Sequence, residues 1–377
     1  MARGQPGGAM RDILLIGAGK IGETIADTLG AVGDYRVTVA DRAAPALGKF
    51  KGGRNLQTLA LDVDDSEALA KALTGRYAVL SAAPYSVTGR IATQARRTGV
   101  HYLDLTEDVA STRLVKTLAE GATTAFIPQC GLAPGFISIV ARDLAAGFDR
   151  LDSVRMRVGA LPQYPSNALN YNLTWSTDGV INEYCEPCEA IVDGKLCQVR
   201  PLEELEEFSL DGLRYEAFNT SGGLGTLCET LAGNVRQLNY KTVRYPGHRD
   251  IMKTLIQDLR LGERRALLKD ILENALPVTR QDVVLVFVTV SGYRGGQYLQ
   301  ETYANKIYGA DINGIARSAI QITTASGICT MLDMLASGAL PQRGFVRQEE
   351  VSLSAFLSNR FGRAFGGHNL APTRRAA

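Results

Sequence analysis

Three glycines closing an apolar run form the first stretch of the chain equipped to hold a ligand. In "ILLIGAGKIGETIADTLG", Gly17, Gly19 and Gly22 make a G-x-G-x-x-G at the passage from a strand to a helix. Each has a separate steric job: a tight turn at Gly17, close approach of a pyrophosphate to the backbone at Gly19, and close helix-on-strand packing at Gly22. Lys20 and Ile21 complete the turn. The next strand, "YRVTVAD", ends in Asp41, about 20 residues further on, where a carboxylate can accept hydrogen bonds from ribose hydroxyls. Strand, glycines, helix and acid in register predict a dinucleotide site. Asp41 would repel a 2′-phosphate and favours NAD, while Arg42 beside it could accommodate that phosphate and leaves NADP possible. Asp62, after the third strand, could bond the adenine edge or cap the helix that begins near Ser66. Ser81, Ala82, Ala83 and Pro84 end the fourth strand with small residues, as expected where backbone lies beside the nicotinamide ribose.

A second set of residues could act on a substrate. "QCGLAPGFIS" ends the sixth strand and opens a helix with Pro134 in its first turn, placing Cys130 and the Gly131 backbone at the ligand crevice. Cys130 is either a polar site residue or a packing thiol. Asp104 and Glu107 follow the fifth strand; each could take a proton from a substrate amine, bind it as an ammonium, or cap the helix starting near residue 110. In "NYKTVRYPGH", Lys241, Arg244 and His248 alternate with Tyr240 and Tyr245 around a Pro-Gly turn. Such a cationic, aromatic loop suits a carboxylate, with Arg244 as a bidentate fork. His248 is an acid/base candidate or a surface residue of the turn. Cys185, Cys188 and Cys197 suggest part of a metal site but lack a fourth ligand nearby, so no metal is expected.

The elements that must position these groups can be read from the alternation of apolar runs and helix-period segments. From Arg11 to Cys130, short apolar runs alternate with helical stretches at 20–31, 66–74, 88–98 and 110–120. That rhythm predicts βαβ units and a doubly wound parallel sheet, a Rossmann domain over 11–130. After Arg150 the texture changes: "LDSVRMRVGAL", "DVVLVFVTVSGY" and "QYLQETYANKIYG" read as strands of an antiparallel sheet, the last two joined by "RGG", with helical pieces over 248–275. This α+β region is assigned to 131–313. The segment 314–337 is apolar nearly all round and predicts a buried helix within a C-terminal stretch, 314–377. Residues 1–10, rich in Gly and Pro, read as a flexible arm.

Composition bounds the function classes. The chain has 377 residues, 41 Lys and Arg, 39 Asp and Glu, and a net charge of +2; the surplus sits in the last 37 residues, so the body offers no basic face for nucleic acid. No apolar run in the sequence reaches the roughly 18 residues of a bilayer span, and the run after Arg11 is too short for a signal-peptide core, so no membrane partner is expected. Six cysteines in so long a chain read as cytoplasmic thiols. There is no G-x-S-x-G elbow, P-loop or HExxH pattern, which weakens hydrolase and kinase readings.

Over nearly its full length the chain resembles the saccharopine dehydrogenase family, and within it a lysine 6-dehydrogenase-like branch. The motifs that carry the resemblance are "QCGLAPG", "LNYKT" before "VRYPGH", "NYNLTWSTDGVINEY" at 170–184 and "TSGGLGTLCETL" at 220–231. The resemblance implies a Rossmann domain, an α+β substrate domain that builds a homodimer, and a C-terminal segment returning to the first domain. It implies a lysine-derived amino-acid substrate, L-lysine or saccharopine, oxidised at the C6–N bond by NAD or NADP to 2-aminoadipate 6-semialdehyde. It also puts Cys130 beside the nicotinamide, makes Arg244 the anchor for a substrate carboxylate, and lines the pocket with Asn172, Trp175, Ser176, Thr220 and Ser221. Two alternatives stand beside it: reductive amine formation on a polyamine precursor, as in carboxynorspermidine-forming relatives, and a scaffold that binds NAD(P) without turnover.

Overall fold

The computed structural model describes residues 10–50, 55–312 and 314–366. All of the expected flexible arm except Met10, and the basic end of the chain after residue 366, lie outside the described residues. The described chain divides into two compact units: residues 10–106, 110–128 and 331–346 in the first, and 107–109, 129–330 and 347–366 in the second. The stretch assigned to a C-terminal segment is thus divided, 331–346 with the first unit and the rest with the second.

In the first unit, β1 (Arg11–Ile16), β2 (Tyr35–Asp41), β3 (Leu56–Ala60), β4 (Ala78–Ser81), β5 (His101–Asp104) and β6 (Ala125–Ile127) alternate with α1 (Lys20–Gly30), α2 (Ala44–Leu47), α3 (Ser66–Leu73), α4 (Thr88–Thr98) and α5 (Val109–Ala119). The strands form one parallel sheet in the order β3-β2-β1-β4-β5-β6, extended by the short β17 (Gly344–Phe345) beside β6. This is the doubly wound Rossmann order, and its chain direction switches between β1 and β4. Buried on both faces, β1 reads as a continuous apolar run, with Ile13, Leu14 and Leu15 fully buried. Leu14, Ile16, Leu69, Val79, Ile91, Val115 and Phe126 join one core across strands and helices.

The second unit holds a mixed sheet in the order β10-β11-β12-β7-β13-β14: β10 (Glu206–Leu210), β11 (Leu213–Asn219), β12 (Gln237–Arg244), β7 (Arg150–Pro162), β13 (Asp282–Arg294) and β14 (Gln297–Tyr308). A hairpin of β8 (Cys188–Val192) and β9 (Lys195–Val199) joins it through β12. Gly295 and Gly296 turn β13 into β14, where "RGG" marks a hairpin. Its helices are α6 (Phe136–Ala145), α7 (Thr177–Cys185), α8 (Leu227–Leu231), α9 (His248–Lys253), α10 (Arg265–Ala275) and α12 (Leu353–Ser358).

Three readings of this region are corrected. The sheet is not purely antiparallel, because β12 runs parallel to β7. The supposed loop at 239–248 is mostly that same strand, placed in the sheet interior between β11 and β7. A buried lysine is tolerated there because its partner arrives from distant sequence: Lys241 reaches Glu206 at 2.7 Å, on the same carboxylate that forms a two-pronged pair at 2.8 Å with Arg157 of the adjacent β7. The apolar helix begins later than residue 314: β15 (Ala310–Ile312) and β16 (Ile315–Arg317) form a hairpin, and α11 spans Ala319–Ala336. With 18 residues α11 is long and apolar enough to cross a bilayer by length and composition, but 83% of it is buried inside the protein, the condition of a core helix.

Candidate functional site

The glycine turn of the first unit is built from backbone. Gly17 has φ +108°, and a side chain there would press into the Ala82 carbonyl at 2.6 Å. A Cβ on Gly22 would overlap the Gly17 carbonyl oxygen, so α1 can lie this close to the turn only without one. Around Gly19 the opposite holds: it is exposed, with nothing within 4 Å of a Cβ position. Asp41 fastens the end of β2 to this turn, its two carboxylate oxygens accepting from Ala18 N and Ala43 N at 2.8 Å each. Ile16 and Ser81 are register partners at the switch between β1 and β4, and the buried Ser81 hydroxyl has no hydrogen-bond partner among the described residues. Lys20, Arg42 and Pro84 are exposed, and Ile21, Ala82 and Ala83 half-buried.

These features fit a dinucleotide: an open cradle over Gly19, a carboxylate at the end of β2, and an orphaned hydroxyl at the switch point. Asp62 is exposed and accepts from Asp64 N. The capping role considered for it belongs to Asp65, which accepts from Glu67 N and Ala68 N at the start of α3.

In the second unit the structure gathers side chains from separate elements. Arg244, at the end of β12, is 2% exposed. Its Nε donates to the Tyr184 hydroxyl on α7 at 3.0 Å, and its Nη1 donates to the Val243 carbonyl at 2.9 Å. The Tyr171 ring lies 5.1 Å from the guanidinium carbon. Tyr184 in turn meets His248 Nε2 at 3.0 Å, and His248 Nδ1 meets the Leu169 carbonyl at 2.9 Å. Since a carbonyl only accepts, Nδ1 carries the imidazole proton, Nε2 accepts from Tyr184, and the Tyr184 oxygen accepts from Arg244. Burial, reinforced by Arg244, lowers His248 to about 3. The imidazole is therefore neutral, and both nitrogens are engaged. The reading of His248 as a surface residue is corrected, because its side chain is buried although Gly247 before it is exposed, and its two ring bonds suit it to holding Tyr184 in place. Glu216 of β11 fixes that turn by accepting from Gly247 N and Arg249 N.

Glu183 precedes Tyr184 on α7 and is 5% exposed. Its carboxylate has no hydrogen-bond or ion-pair partner among the described residues, and burial together with the charge of Glu107 raises it to about 8 against the opposing pull of Arg244. The buried hydroxyls of Tyr171, Thr174 and Thr220 are also unpartnered. Tyr240, on the same strand as Arg244, is pushed well up by burial and by Glu183. Cation, carboxylate and orphaned hydroxyls form a buried polar set that the protein does not satisfy from within.

The other substrate-side candidates have local duties. Ser176 is exposed and caps α7 by accepting from Gly179 N at 3.1 Å, a correction to its place in the pocket lining. Asn172 is buried and accepts from Asn167 at 3.1 Å, while Trp175 packs over Gly179. Ser221 N donates to the Glu183 carbonyl and its hydroxyl donates to the Pro187 carbonyl, which pins the chain beside Thr220. Cys130 is buried at 1% exposure, with the Gln348 amide donating to its sulfur at 3.3 Å. Pro134 does not sit in the helix: it follows a cis peptide bond, and α6 starts at Phe136 after Gly135, which packs on Gly131. Asp104 is buried and accepts from the Tyr102 hydroxyl and Thr106 N, which ties it to the end of β5. Glu107 belongs to the second unit, where Gly222 packs on its backbone. Sequence reasoning passes over Tyr171, Glu183, Tyr184 and Glu216. The first three lie inside "NYNLTWSTDGVINEY", and an acid next to an aromatic on an apolar helix is the available signal.

Comparison with known proteins places both units in one family. The profile described as "Saccharopine dehydrogenase NADP binding domain" matches residues 13–125, and the one described as "Saccharopine dehydrogenase C-terminal domain" matches residues 131–361. Among curated proteins, the chain is similar to saccharopine dehydrogenase [NADP(+), L-glutamate-forming] of Saccharomyces cerevisiae, 29% identical over 195 residues that make up 49% of this chain and 43% of that protein. The chain spans less than half the length of the curated relatives it matches. Among solved structures, apo saccharopine dehydrogenase (L-Glu forming) from Saccharomyces cerevisiae superposes with a TM-score of 0.72 at 18% identity, covering 94% of this chain and 96% of that one. A homospermidine synthase from Legionella pneumophila in complex with NAD gives 0.63 at 12% identity over 94% and 89%. At these identities the two structures speak for the fold alone.

Proposed function

The chain belongs to the saccharopine dehydrogenase family, and from that premise we propose that it is an NAD(P)-dependent oxidoreductase acting on the C6–N bond of a lysine-derived amino acid, L-lysine or saccharopine. The observation that carries this reading is Arg244: a buried guanidinium with Nε and Nη1 held by the protein and Nη2 without a hydrogen-bond partner among the described residues. Such a group is a preorganised receptor for a carboxylate.

When bound, the dinucleotide supplies a hydride acceptor, and Gly17, Gly19, Gly22, Asp41 and Ser81 would hold it. The protein's part is to bind and orient the substrate. Arg244 takes a carboxylate, Tyr184 and His248 fix the angle of its guanidinium, and Tyr171 covers one face of it. Oxidation at C6 gives a substrate imine, and water then releases 2-aminoadipate 6-semialdehyde together with ammonia from lysine or glutamate from saccharopine. The proposal is tested by incubating the protein with NAD+ or NADP+ and each amino acid, following near-ultraviolet absorbance of the reduced nicotinamide and assaying ammonia and glutamate. Ammonia identifies lysine as the substrate, and glutamate identifies saccharopine. Tight cofactor binding with no turnover on either would replace the enzyme by the scaffold alternative.

We further propose a cytoplasmic homodimer. Support comes from the six free thiols, and from β14, a 12-residue edge strand bearing the exposed Tyr298 and Tyr308. Light scattering of the purified protein tests the dimer.

A further inference from the structure

Arg244 is a buried cation and Glu183 a buried carboxyl, and the two do not pair. Tyr184, which follows Glu183 on α7, accepts from Arg244 Nε at 3.0 Å, yet Arg244 and Glu183 form no ion pair, and neither the Glu183 carboxyl nor Arg244 Nη2 has a hydrogen-bond partner among the described residues. A buried guanidinium and a buried carboxyl that each lack a partner are both costly. A ligand that carries both complementary charges on adjacent atoms removes that cost on both sides. The group that does so is the α-amino acid head group, whose carboxylate and ammonium share one carbon. We propose that Glu183 and Arg244 form a clamp for this head group, the carboxylate on Arg244 and the α-ammonium on Glu183, with the unpartnered Thr220, Thr174 and Tyr171 hydroxyls available to the remaining polar atoms.

The clamp rests on the amino-acid reading above and adds to it an assignment for the α-amine, which no motif in the sequence identifies. It has a proton signature. Glu183 faces Glu107 from the 107–109 segment, Arg244 and Tyr240 from β12, Tyr171 from the stretch before α7, Cys188 from β8 and Tyr184 on its own helix. Raised to about 8 in this setting, the carboxyl is mostly protonated at neutral pH. An arriving ammonium favours the carboxylate, so the protonated Glu183 carboxyl gives its proton to solvent as the ion pair forms.

The test uses calorimetric titration of the full chain loaded with reduced cofactor. The probes are L-lysine, whose head group saccharopine shares, 6-aminohexanoate, which lacks the α-amine, and cadaverine, which lacks the carboxylate. At pH 7, L-lysine is expected to release close to one proton, read from titrations in two buffers of different ionisation enthalpy, and 6-aminohexanoate none. Glu183→Gln should weaken L-lysine by about 10- to 100-fold, the span of one charge-assisted hydrogen bond, and leave 6-aminohexanoate unchanged. Arg244→Gln should weaken L-lysine and leave cadaverine unchanged. Glu183→Gln keeps the side chain's size and exchanges a mostly protonated carboxyl for a neutral amide, so this variant should fold; thermal melting of both variants checks this. Equal losses for L-lysine and 6-aminohexanoate in Glu183→Gln, or lysine binding without proton release, would overturn the clamp while leaving the oxidoreductase reading intact. Lysine binding with the proton signature but no turnover does the reverse. Failure of the wild-type protein to bind either L-lysine or saccharopine overturns both.

Discussion

The glycine turn of the first unit and the charged cluster of the second are built by different means. The turn works through backbone: its selectivity lies in where side chains are missing, and the residues concerned fall within Gly17–Gly22 plus one acid at Asp41. The cluster works through side chains brought from β12, α7, α9 and intervening loops, with more than 60 residues of sequence between hydrogen-bonded partners such as Tyr184 and His248. A backbone site is written in consecutive residues and tolerates no added volume. A side-chain site is assembled by the fold and depends on charge and proton positions.

The contrast predicts a ranking of effects. Gly22→Val should be the most severe, because its side chain would occupy the Gly17 carbonyl; cofactor affinity measured by fluorescence titration should fall beyond about 100-fold. Retained affinity would show that the turn does not depend on this close approach. Next comes acid sensitivity of the second unit. His248 is lowered from 6.5 to about 3 in the folded protein. Between those values the unfolded chain takes up a proton that the folded one refuses, so stability is intact above pH 6.5 and is lost as pH falls toward 3, by on the order of a few kcal/mol. Denaturant titrations across this range should show a His248→Gln variant with a shallower slope; an equal slope would remove His248 as its source.

Asp41→Ala tests the carboxylate of the backbone-built site. Losing a charge-assisted acceptor should weaken NAD by about 10-fold, about 1.5 kcal/mol, with amino-acid affinity unchanged. Unchanged NAD affinity would take Asp41 out of the ribose site. The smallest effect is expected at Ser81. Removing its orphaned hydroxyl in Ser81→Ala should stabilise the free protein by about 1 kcal/mol while weakening the cofactor slightly. A destabilised free protein would mean that the hydroxyl already has a partner in solution.

Legibility in the sequence follows the same division. The alternation of apolar runs and helical segments locates α4 at 88–98 residue for residue, because each βα unit packs largely within itself. β12 reads as a loop, since Lys241, Arg244, Pro246 and Gly247 resemble a turn until Glu206, supplied by another strand, makes a buried lysine acceptable. Arg244 stands out as a guanidinium beside aromatics. Glu183 is marked only by the aromatic beside it, Tyr184, a weak signal, and otherwise looks like a surface glutamate until burial is known. Helix caps are legible to within a few residues, as the transfer from Asp62 to Asp65 shows.

The hydrogen-bond sequence from Arg244 through Tyr184 and His248 ends on the main-chain oxygen of Leu169. Every proton in it is oriented from that end, and the terminal acceptor is an atom that all residue types possess. The bond itself asks nothing of the side chain at 169, which serves the core around Tyr171 and Tyr184 instead, whereas an insertion or deletion between residues 163 and 176 would misalign the guanidinium. Constraint here falls on chain length rather than on letters, and comparison by identity alone would undervalue this loop.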